Sequence, residues 1–168
     1  MNNTSPLVSV IMNCNNGEKY LAQSLKSLKN QTYKNWELIF FDNNSTDSSL
    51  SILKKEKDHR IKIFTIKTLS NLYKARNLAI EKAKGKYLSY LNSDDMLSEN
   101  ALINIKNNFE TEQNNEWIIG FCENVGNKYI INNIVNFYKK NLLKLLNFNL
   151  LSINNVISQP SVFWKRTF

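Results

Sequence analysis

Short apolar runs alternate with amphipathic segments through the first 109 residues of the chain. Four runs of strand length, rich in β-branched and aromatic residues, occupy 7–12, 36–41, 60–66 and 87–91. Four segments with apolar residues at helical spacing occupy 18–29, 47–57, 72–84 and 98–109. A βαβαβαβα order with right-handed crossovers predicts an α/β fold with a doubly wound, mostly parallel sheet flanked by helices.

Local signals predict where the helices begin, end and pack. Ser45 or Thr46 is expected to cap the second helix and Ser98 the fourth. Gly85 is expected to end the third helix in the left-handed conformation. The residues predicted to be buried on the first helix are Tyr20, Leu21, Ser24, Leu25 and Leu28. Those predicted to be buried on the third are Leu72, Ala75, Leu78, Ala79 and Ala83.

Polar side chains follow three of the predicted strands at the point where each strand ends. Asn15 follows the first strand, Asp42 the second, and the adjacent Asp94 and Asp95 the fourth. In a parallel sheet these ends share one edge, and ligands bind in the crevice outside it. Adjacent carboxylates repel each other, so a cation is expected beside the last pair, and a divalent metal is the natural candidate.

Composition limits the class of protein. The chain has 168 residues, of which 42% are hydrophobic, with 4 Gly and 2 Pro, and this predicts one domain with a sizeable core. The net charge of +8 is spread along predicted helices without an Arg-rich run, which argues against nucleic-acid binding. Neither a membrane span of about 20 apolar residues nor a signal peptide is visible, so a cytoplasmic location is expected. Cys14 and Cys122 are expected to be reduced and buried, and His59 to be exposed.

The remainder of the chain is less regular. A strand is predicted at 116–122 with a short partner at 128–131, and an extended segment at 159–166. Amphipathic helices are predicted at 134–151, with lysines near one face. The apolar residues of 134–151 favour core or homodimer contacts over a peripheral membrane role.

Five motifs occur in order: Asn16-Gly17-Glu18-Lys19-Tyr20-Leu21, Gln31-Thr32-Tyr33-Lys34-Asn35-Trp36, Asp42-Asn43-Asn44-Ser45-Thr46-Asp47, Ala75-Arg76-Asn77 and Asn92-Ser93-Asp94-Asp95. Together they resemble the motifs of the family-two inverting, nucleotide-sugar-dependent glycosyltransferases. The resemblance implies a Rossmann-like GT-A domain over 1–168. It also implies a nucleotide-sugar-binding half at 1–113, the start of an acceptor-side half at 114–168, and further chain beyond Phe168.

The resemblance implies roles for individual residues. Asp42 matches the carboxylate that binds uracil, and Asp94, with Asp95 beside it, matches the ligand of Mn²⁺ or Mg²⁺ on the diphosphate. The nucleotide-sugar site is completed by Asn13, Asn15, Glu18, Asn44, Arg76, Asn92 and Ser93. The chain departs from the family pattern at Asn13 and Asn15, which replace Pro and Tyr, and at Asn92, which replaces the first acid of the DXD motif.

Structural alternatives stay open for these residues. Asp42 and the acid pair also suit helix caps. Asn15 and Asn16, which the resemblance places beside the nucleotide, also suit an Asx turn. Arg76 also suits a solvated helix surface.

The implied reaction is transfer of a sugar from a UDP-sugar to a hydroxyl of a glycan or lipid-linked acceptor, with inversion, in bacterial surface polysaccharide synthesis. A metal offsets charge on the leaving diphosphate, and a carboxylate deprotonates the acceptor. No residue up to Phe168 matches that base, so it is expected further along the chain. The alternative is a non-catalytic nucleotide-binding or membrane-peripheral module. A nucleotidyltransferase is disfavoured, because no Gly-rich phosphate loop lies early in the chain.

Overall fold

The computed structural model describes residues 6–120, 122–123 and 162–166. Its strands are β1 (Val8–Cys14), β2 (Trp36–Asn43), β3 (Ile61–Ile66), β4 (Tyr87–Tyr90), β5 (Trp117–Ile119) and β6 (Val162–Lys165). Its helices are α1 (Glu18–Lys29), α2 (Ser49–Lys54), α3 (Leu72–Lys82) and α4 (Ala101–Thr111). The predicted alternation is confirmed, and α1 has the predicted bounds.

The strands form one sheet in the order β3-β2-β1-β4-β6-β5. β1 lies between β2 and β4 and is parallel to both, and β3 is parallel to β2. β6 runs antiparallel to β4. The sheet is therefore mostly parallel and doubly wound, as predicted, and the strand order reverses between β1 and β4.

Apolar side chains pack on both faces of the sheet. Val10 and Met12 belong to a cluster that includes residues of α1, α2 and α4. Ile11 belongs to the opposite cluster, where Ala75 and Ala79 of α3 pack. Every residue of β2 is buried. Burial on both faces is the reason that these strands read as continuous apolar runs.

Two residues predicted to be buried are exposed instead. Tyr20 is 44% exposed and Leu72 is 46% exposed. Both lie in the first turn of a helix that follows a strand, so they project beyond the strand ends and have no sheet beneath them. The other predicted residues of these two helices are buried or half-buried.

The predicted caps of α2 and α4 are wrong. Ser45 and Thr46 bond to the chain that follows β1. Ser98 contributes its backbone carbonyl, which accepts from the first amide of α4. The residues directly before the two helices, Ser48 and Asn100, make no side-chain cap hydrogen bond.

Gly85 has a different role from the predicted one. α3 ends at Lys82, and Ala83 is already extended, with φ −70° and ψ 139°. Gly85 does not have a left-handed φ, but a Cβ there would lie 2.5 Å from the amide nitrogen of Ser9. The position requires glycine because two backbone segments approach closely.

The C-terminal part of the chain is described only in places. β5 is shorter than the strand predicted at 116–122, and β6 lies within the predicted extended segment. The predictions for 128–131 and 134–151 lie outside the described residues. The chain divides into two compact units, Met1–Ile118 with Phe163–Phe168, and Ile119–Val162.

The sequence also predicted the state of the cysteines, the exposure of His59 and the lack of a membrane span. Both cysteines are free, but only Cys14 is buried, since Cys122 is half-buried. His59 is exposed, as expected. Within the described ranges, no helix has the length and apolarity needed to cross a membrane.

A buried carboxylate joins the strands at the amino-terminal edge of the sheet. Glu37 on β2 is 3% exposed, and its Oε1 accepts from Ser9 Oγ and from the Lys84 amide, each at 2.6 Å. Its Oε2 pairs with Lys62 Nζ on β3. Ser9 Oγ also accepts from the Gly85 amide at 2.8 Å. Burial raises the pKa of Glu37, but the hydrogen bonds from Lys62, Ser9 and Lys84 outweigh it, so the net pKa shift is downward.

We expect Glu37→Gln to lower the free energy of unfolding by about 2–4 kcal/mol near neutral pH, because it breaks a buried charge pair. The folded-state pKa of Glu37 lies below the ordinary value of 4.5. Its stabilisation is therefore present above that value and is lost as pH falls through the lower folded-state pKa. Urea unfolding of wild type and variant should show a difference that shrinks in acid.

Glu56→Gln is the matched control, because Glu56 pairs with Lys29 at a more exposed position. Its effect should stay within about 1 kcal/mol. Equal losses in the two variants would contradict the importance given to the Glu37 network.

Candidate functional site

Two loops at the carboxyl edge of the sheet are joined by hydrogen bonds: the β1 loop (residues 15–17) and the β2 loop (residues 44–48). Asn15 Nδ2 donates to the Asn43 carbonyl at 2.9 Å. The Glu18 amide donates to Asp47 Oδ2 at 2.9 Å, and the Glu18 carboxylate accepts from the Ser48 amide at 2.8 Å. These contacts place Asn15, Glu18 and the β2 loop side by side, as the topology predicted.

Asn16 lies at the centre of this junction, next to Asn15 in the loop that was expected to border the nucleotide. Its Oδ1 accepts from the Thr46 amide at 2.8 Å, the Asp47 amide at 3.3 Å and Thr46 Oγ1 at 3.3 Å. Its own amide donates to Ser45 Oγ at 3.0 Å. Asn16 has a left-handed φ of 57°, which asparagine tolerates better than most residues.

Asp42 is the second-to-last residue of β2. It is buried, with 4% of its surface exposed. Its Oδ2 accepts from the Ser45 amide at 3.2 Å, so it caps the turn after the strand and not α2. Its Oδ1 is buried and has no hydrogen-bond partner among the described residues. An unpaired buried carboxylate oxygen costs free energy, so a donor supplied by a ligand would be stabilising there.

The acidic loop (residues 91–100) is held against the C-terminal half of α1 and against Gln31, the second residue after that helix. Ser24 Oγ donates to the Asn92 carbonyl at 3.1 Å. The buried side chain of Gln31 donates to the Ser98 carbonyl at 2.7 Å and accepts from the Leu102 amide at 3.1 Å. Ser24 in α1 and Gln31 just after it therefore fix the two ends of the loop that carries the acid pair.

The two acids of this loop have different environments. Asn92 Nδ2 donates to Asp95 Oδ2 at 2.7 Å. Burial raises the pKa of Asp95, the Asn92 hydrogen bond lowers it and the Asp94 charge raises it, so the net pKa shift is upward. Asp94 is exposed, and its carboxylate makes no hydrogen bond or ion pair within the described part of the chain. The loop thus presents one available carboxylate beside one that is already engaged.

The acidic loop also touches the β1 loop. A Cβ at Gly17 would lie 2.8 Å from both Cys14 Sγ and Ser93 Oγ. Gly17 has an ordinary φ of −103°, so the position requires a missing side chain and not an unusual backbone. The close approach of Ser93 brings the acid pair to the same sheet edge as Asn15 and Asp42.

Asn13 and Arg76 lie on the α3 side of the sheet. Both polar side-chain atoms of Asn13 are buried and lack hydrogen-bond partners among the described residues. Asn13 shares a face of β1 with Ile11, whereas strand alternation puts Asp42 on the opposite face of the sheet. Arg76 is half-buried, with its guanidinium carbon 5.0 Å from the ring centroid of Tyr90. It is therefore not a fully solvated helix residue.

Sequence reasoning missed the side chains that hold the loops together. Besides Asn16, Asp47 has this role, because its carboxylate accepts from the first amide of α1 and the first amide of α2. Asn43 exchanges hydrogen bonds with the backbone of Ser70, and so fixes the chain that enters α3. The available signal was the run of polar residues at 43–47, whose partners are distant in sequence.

Comparisons with known proteins agree with this architecture. Residues 9–160 match the sequence profile of Glycosyl transferase family 2. The chain belongs to that family. It is 33% identical over 140 residues to the Escherichia coli UDP-Glc:alpha-D-GlcNAc-diphosphoundecaprenol beta-1,3-glucosyltransferase WfgD, covering 83% of this chain and 55% of that protein. It is 43% identical over 99 residues to an uncharacterized glycosyltransferase of Haemophilus influenzae, covering 58% of this chain and 40% of that protein.

The family member described here thus spans 40% to 55% of the length of these two relatives. S. aureus TarS 1-349 in complex with UDP-GlcNAc has a TM-score of 0.64 and 26% identity, covering 71% of this chain and 37% of that one. The Pyrobaculum calidifontis mannosyltransferase PcManGT, in complex with GDP-Man and Mn²⁺, has a TM-score of 0.71 and 16% identity. Its alignment covers 98% of this chain and 46% of that one. The predicted GT-A fold is confirmed.

The acid pair fits a hard divalent cation that arrives with a diphosphate. Mg²⁺ and similar ions in phosphate sites are held by one or two carboxylates plus phosphate oxygens. Asp94 supplies an available carboxylate, and Asp95 lies next to it. Among the described residues, no group of three or more His, Cys, Asp or Glu is placed to hold a metal by itself. A cation bound jointly by protein and substrate therefore suits this donor set.

Asn92→Asp tests the electrostatics of the acidic loop, because it puts a second carboxylate against Asp95. We expect a loss of about 1–3 kcal/mol in unfolding free energy at about pH 8, shrinking toward about pH 5 as the pair takes up a proton. Added Mn²⁺ should reduce the deficit at high pH. Asn92→Ala is the control, since it removes the hydrogen bond without adding charge. Thermal unfolding that shows the same pH-independent deficit in both variants would refute this view of the pair.

Proposed function

We propose that this chain binds the nucleotide of a UDP-sugar, for an enzyme that transfers the sugar with inversion to an acceptor hydroxyl. The observation that carries the proposal is the buried, unpaired Oδ1 of Asp42, on the same sheet edge as the exposed carboxylate of Asp94. The first carboxylate suits a base with an N–H group, and the second suits a metal diphosphate. The UDP-GlcNAc complex of TarS and the UDP-Glc in the name of the E. coli relative support a uridine nucleotide.

Base recognition is assigned to Asp42. Its Oδ1 would accept the imide N–H of uracil, while the Ser45 amide holds Oδ2. Cytosine presents an acceptor at the same ring position, so a carboxylate there disfavours it. Because Asp42 is 4% exposed, the base must displace the groups that cover Oδ1. The exposed Asn15, Glu18 and Asn44 border this approach.

The diphosphate is assigned to the acidic loop. Asp94, with Asp95 beside it, would hold Mn²⁺ or Mg²⁺, and the cation supplies the neutralisation of charge on the leaving diphosphate. Arg76, Ser93 and the buried amide of Asn13 are assigned to hydrogen bonds with phosphate or ribose oxygens. The part of this chain in the reaction is to bind and orient the donor.

We assign none of the described residues to the acceptor side of the reaction, where a carboxylate would take the proton from the acceptor hydroxyl. The name of the E. coli relative includes a diphosphoundecaprenol acceptor, which supports a lipid-linked glycan as the acceptor class. A lipid-linked acceptor would place the enzyme at the inner face of the membrane, on the cytoplasmic side. The lipid-linked acceptor in the name of the E. coli relative also supports a role in surface polysaccharide synthesis.

Calorimetry with UDP and Mn²⁺ tests the donor site. We expect UDP to bind the wild-type chain in a manner that requires Mn²⁺. Asp94→Ala should raise the dissociation constant for UDP by about tenfold or more, because it removes a charged metal ligand. Glu99→Ala, an exposed carboxylate of the same loop, should leave binding unchanged. Equal affinity in wild type and Asp94→Ala would refute the metal assignment.

A further inference from the structure

The position of the β2 loop is set from outside, by the loop that follows β1. The carbonyl oxygen of the Asn16 side chain accepts from two successive amides, those of Thr46 and Asp47. Within the β2 loop, Asn44 has a left-handed φ of 61°, so the chain turns sharply after β2. After such a turn, hydrogen bonds from the neighbouring loop determine where the next residues lie.

Ser45 transmits this position to Asp42. Its hydroxyl accepts from the Asn16 amide at 3.0 Å, and its own amide donates to Asp42 Oδ2 at 3.2 Å. The hydrogen bond from Ser45 engages one carboxylate oxygen and leaves Oδ1 without a partner in the described chain. The rotamer of Asp42 therefore depends on where Ser45 is held. Asn16 holds Ser45 through its backbone amide and the next two residues, Thr46 and Asp47, through its side chain.

We infer that Asn16 is a positioning residue for base recognition, which sets the orientation of the Asp42 carboxylate through Ser45. The inference rests on the proposed function, because it assigns selectivity for uracil to a residue that two hydrogen bonds join to the carboxylate of Asp42. Asn16 acts through Asp42 and makes no contact with the nucleotide. Its loss should impair the discrimination of bases more than the binding of the metal diphosphate, which is assigned to the acidic loop.

Two substitutions separate the side chain of Asn16 from its backbone. Asn16→Gly keeps the left-handed conformation accessible and removes the Oδ1 acceptor. It should raise the dissociation constant for UDP with Mn²⁺ about tenfold and reduce the preference for UDP over CDP. Asn16→Asp keeps an acceptor oxygen and should recover most of the affinity. Asn104→Ala, at an exposed position of α4, is the control for an asparagine far from the loops.

A double-mutant cycle with Asp42→Ala decides whether Asn16 acts through Asp42. If it does, Asn16→Gly has little further effect on UDP affinity once Asp42 has been replaced. Additive losses overturn the inference. Amide hydrogen exchange gives a second readout without nucleotide, since Thr46 and Asp47 should exchange faster in Asn16→Gly while β1 keeps its protection. Unchanged exchange at these two amides also overturns it.

The outcomes distinguish the inference from the proposed function. If UDP does not bind the wild-type chain, or if Asp42→Ala leaves UDP affinity unchanged, the proposed base site is wrong and the inference falls with it. If Asp42→Ala weakens UDP binding and Asn16→Gly does not, only the inference is overturned.

Discussion

β1 pairs in parallel with a strand on each side, and this pairing determines where the loops of the candidate site lie. Because β2 and β4 run in the same direction as β1, the three loops that follow them meet at one edge of the sheet. At the opposite edge, the carboxylate of Glu37 and the glycine at 85 hold the same strands together. One edge is thus closed by a satisfied ionic network. The other ends in polar groups, and the buried oxygen of Asp42 among them lacks a partner in the described residues.

The architecture was predictable because burial on both faces leaves a strong local pattern in the sequence. All of β2 is buried, and successive residues of β1 pack into the clusters on opposite faces of the sheet. Both strands therefore need apolar runs, and these runs identify the strands in the sequence. The roles of Asn16 and Gly85 were not predictable, because they depend on partners 30 and 76 residues away. Asp42 was predicted to be a site residue from its position at the end of a strand. Only the structure distinguishes the oxygen bound by Ser45 from the one left unpaired.

Asn15 and Asn92 stand where the family pattern has a tyrosine and an acid, so the candidate site has few charged groups. The side-chain amide of Asn15 donates to the Asn43 carbonyl, and that of Asn92 donates to the Asp95 carboxylate. In the proposed function, neither brings the aromatic ring or the negative charge of the family pattern. Recognition then relies on Asp42 for the base and on Asp94 for the cation. A site of this kind should be sensitive to the geometry of each carboxylate, since Asn15 provides no stacking ring for the base and Asp95 already accepts a hydrogen bond from Asn92.

A crystal structure with UDP and Mn²⁺ would show directly whether Asp42 binds the base and Asp94 binds the cation. We expect the uracil imide nitrogen at hydrogen-bond distance, about 2.7–3.2 Å, from Asp42 Oδ1. We also expect Mn²⁺ bound to an oxygen of Asp94 and to the diphosphate, with Ser45 still donating to Asp42 Oδ2. A complex in which Oδ1 stays unpaired while the base lies elsewhere, or in which the metal contacts the diphosphate without Asp94, would contradict these assignments.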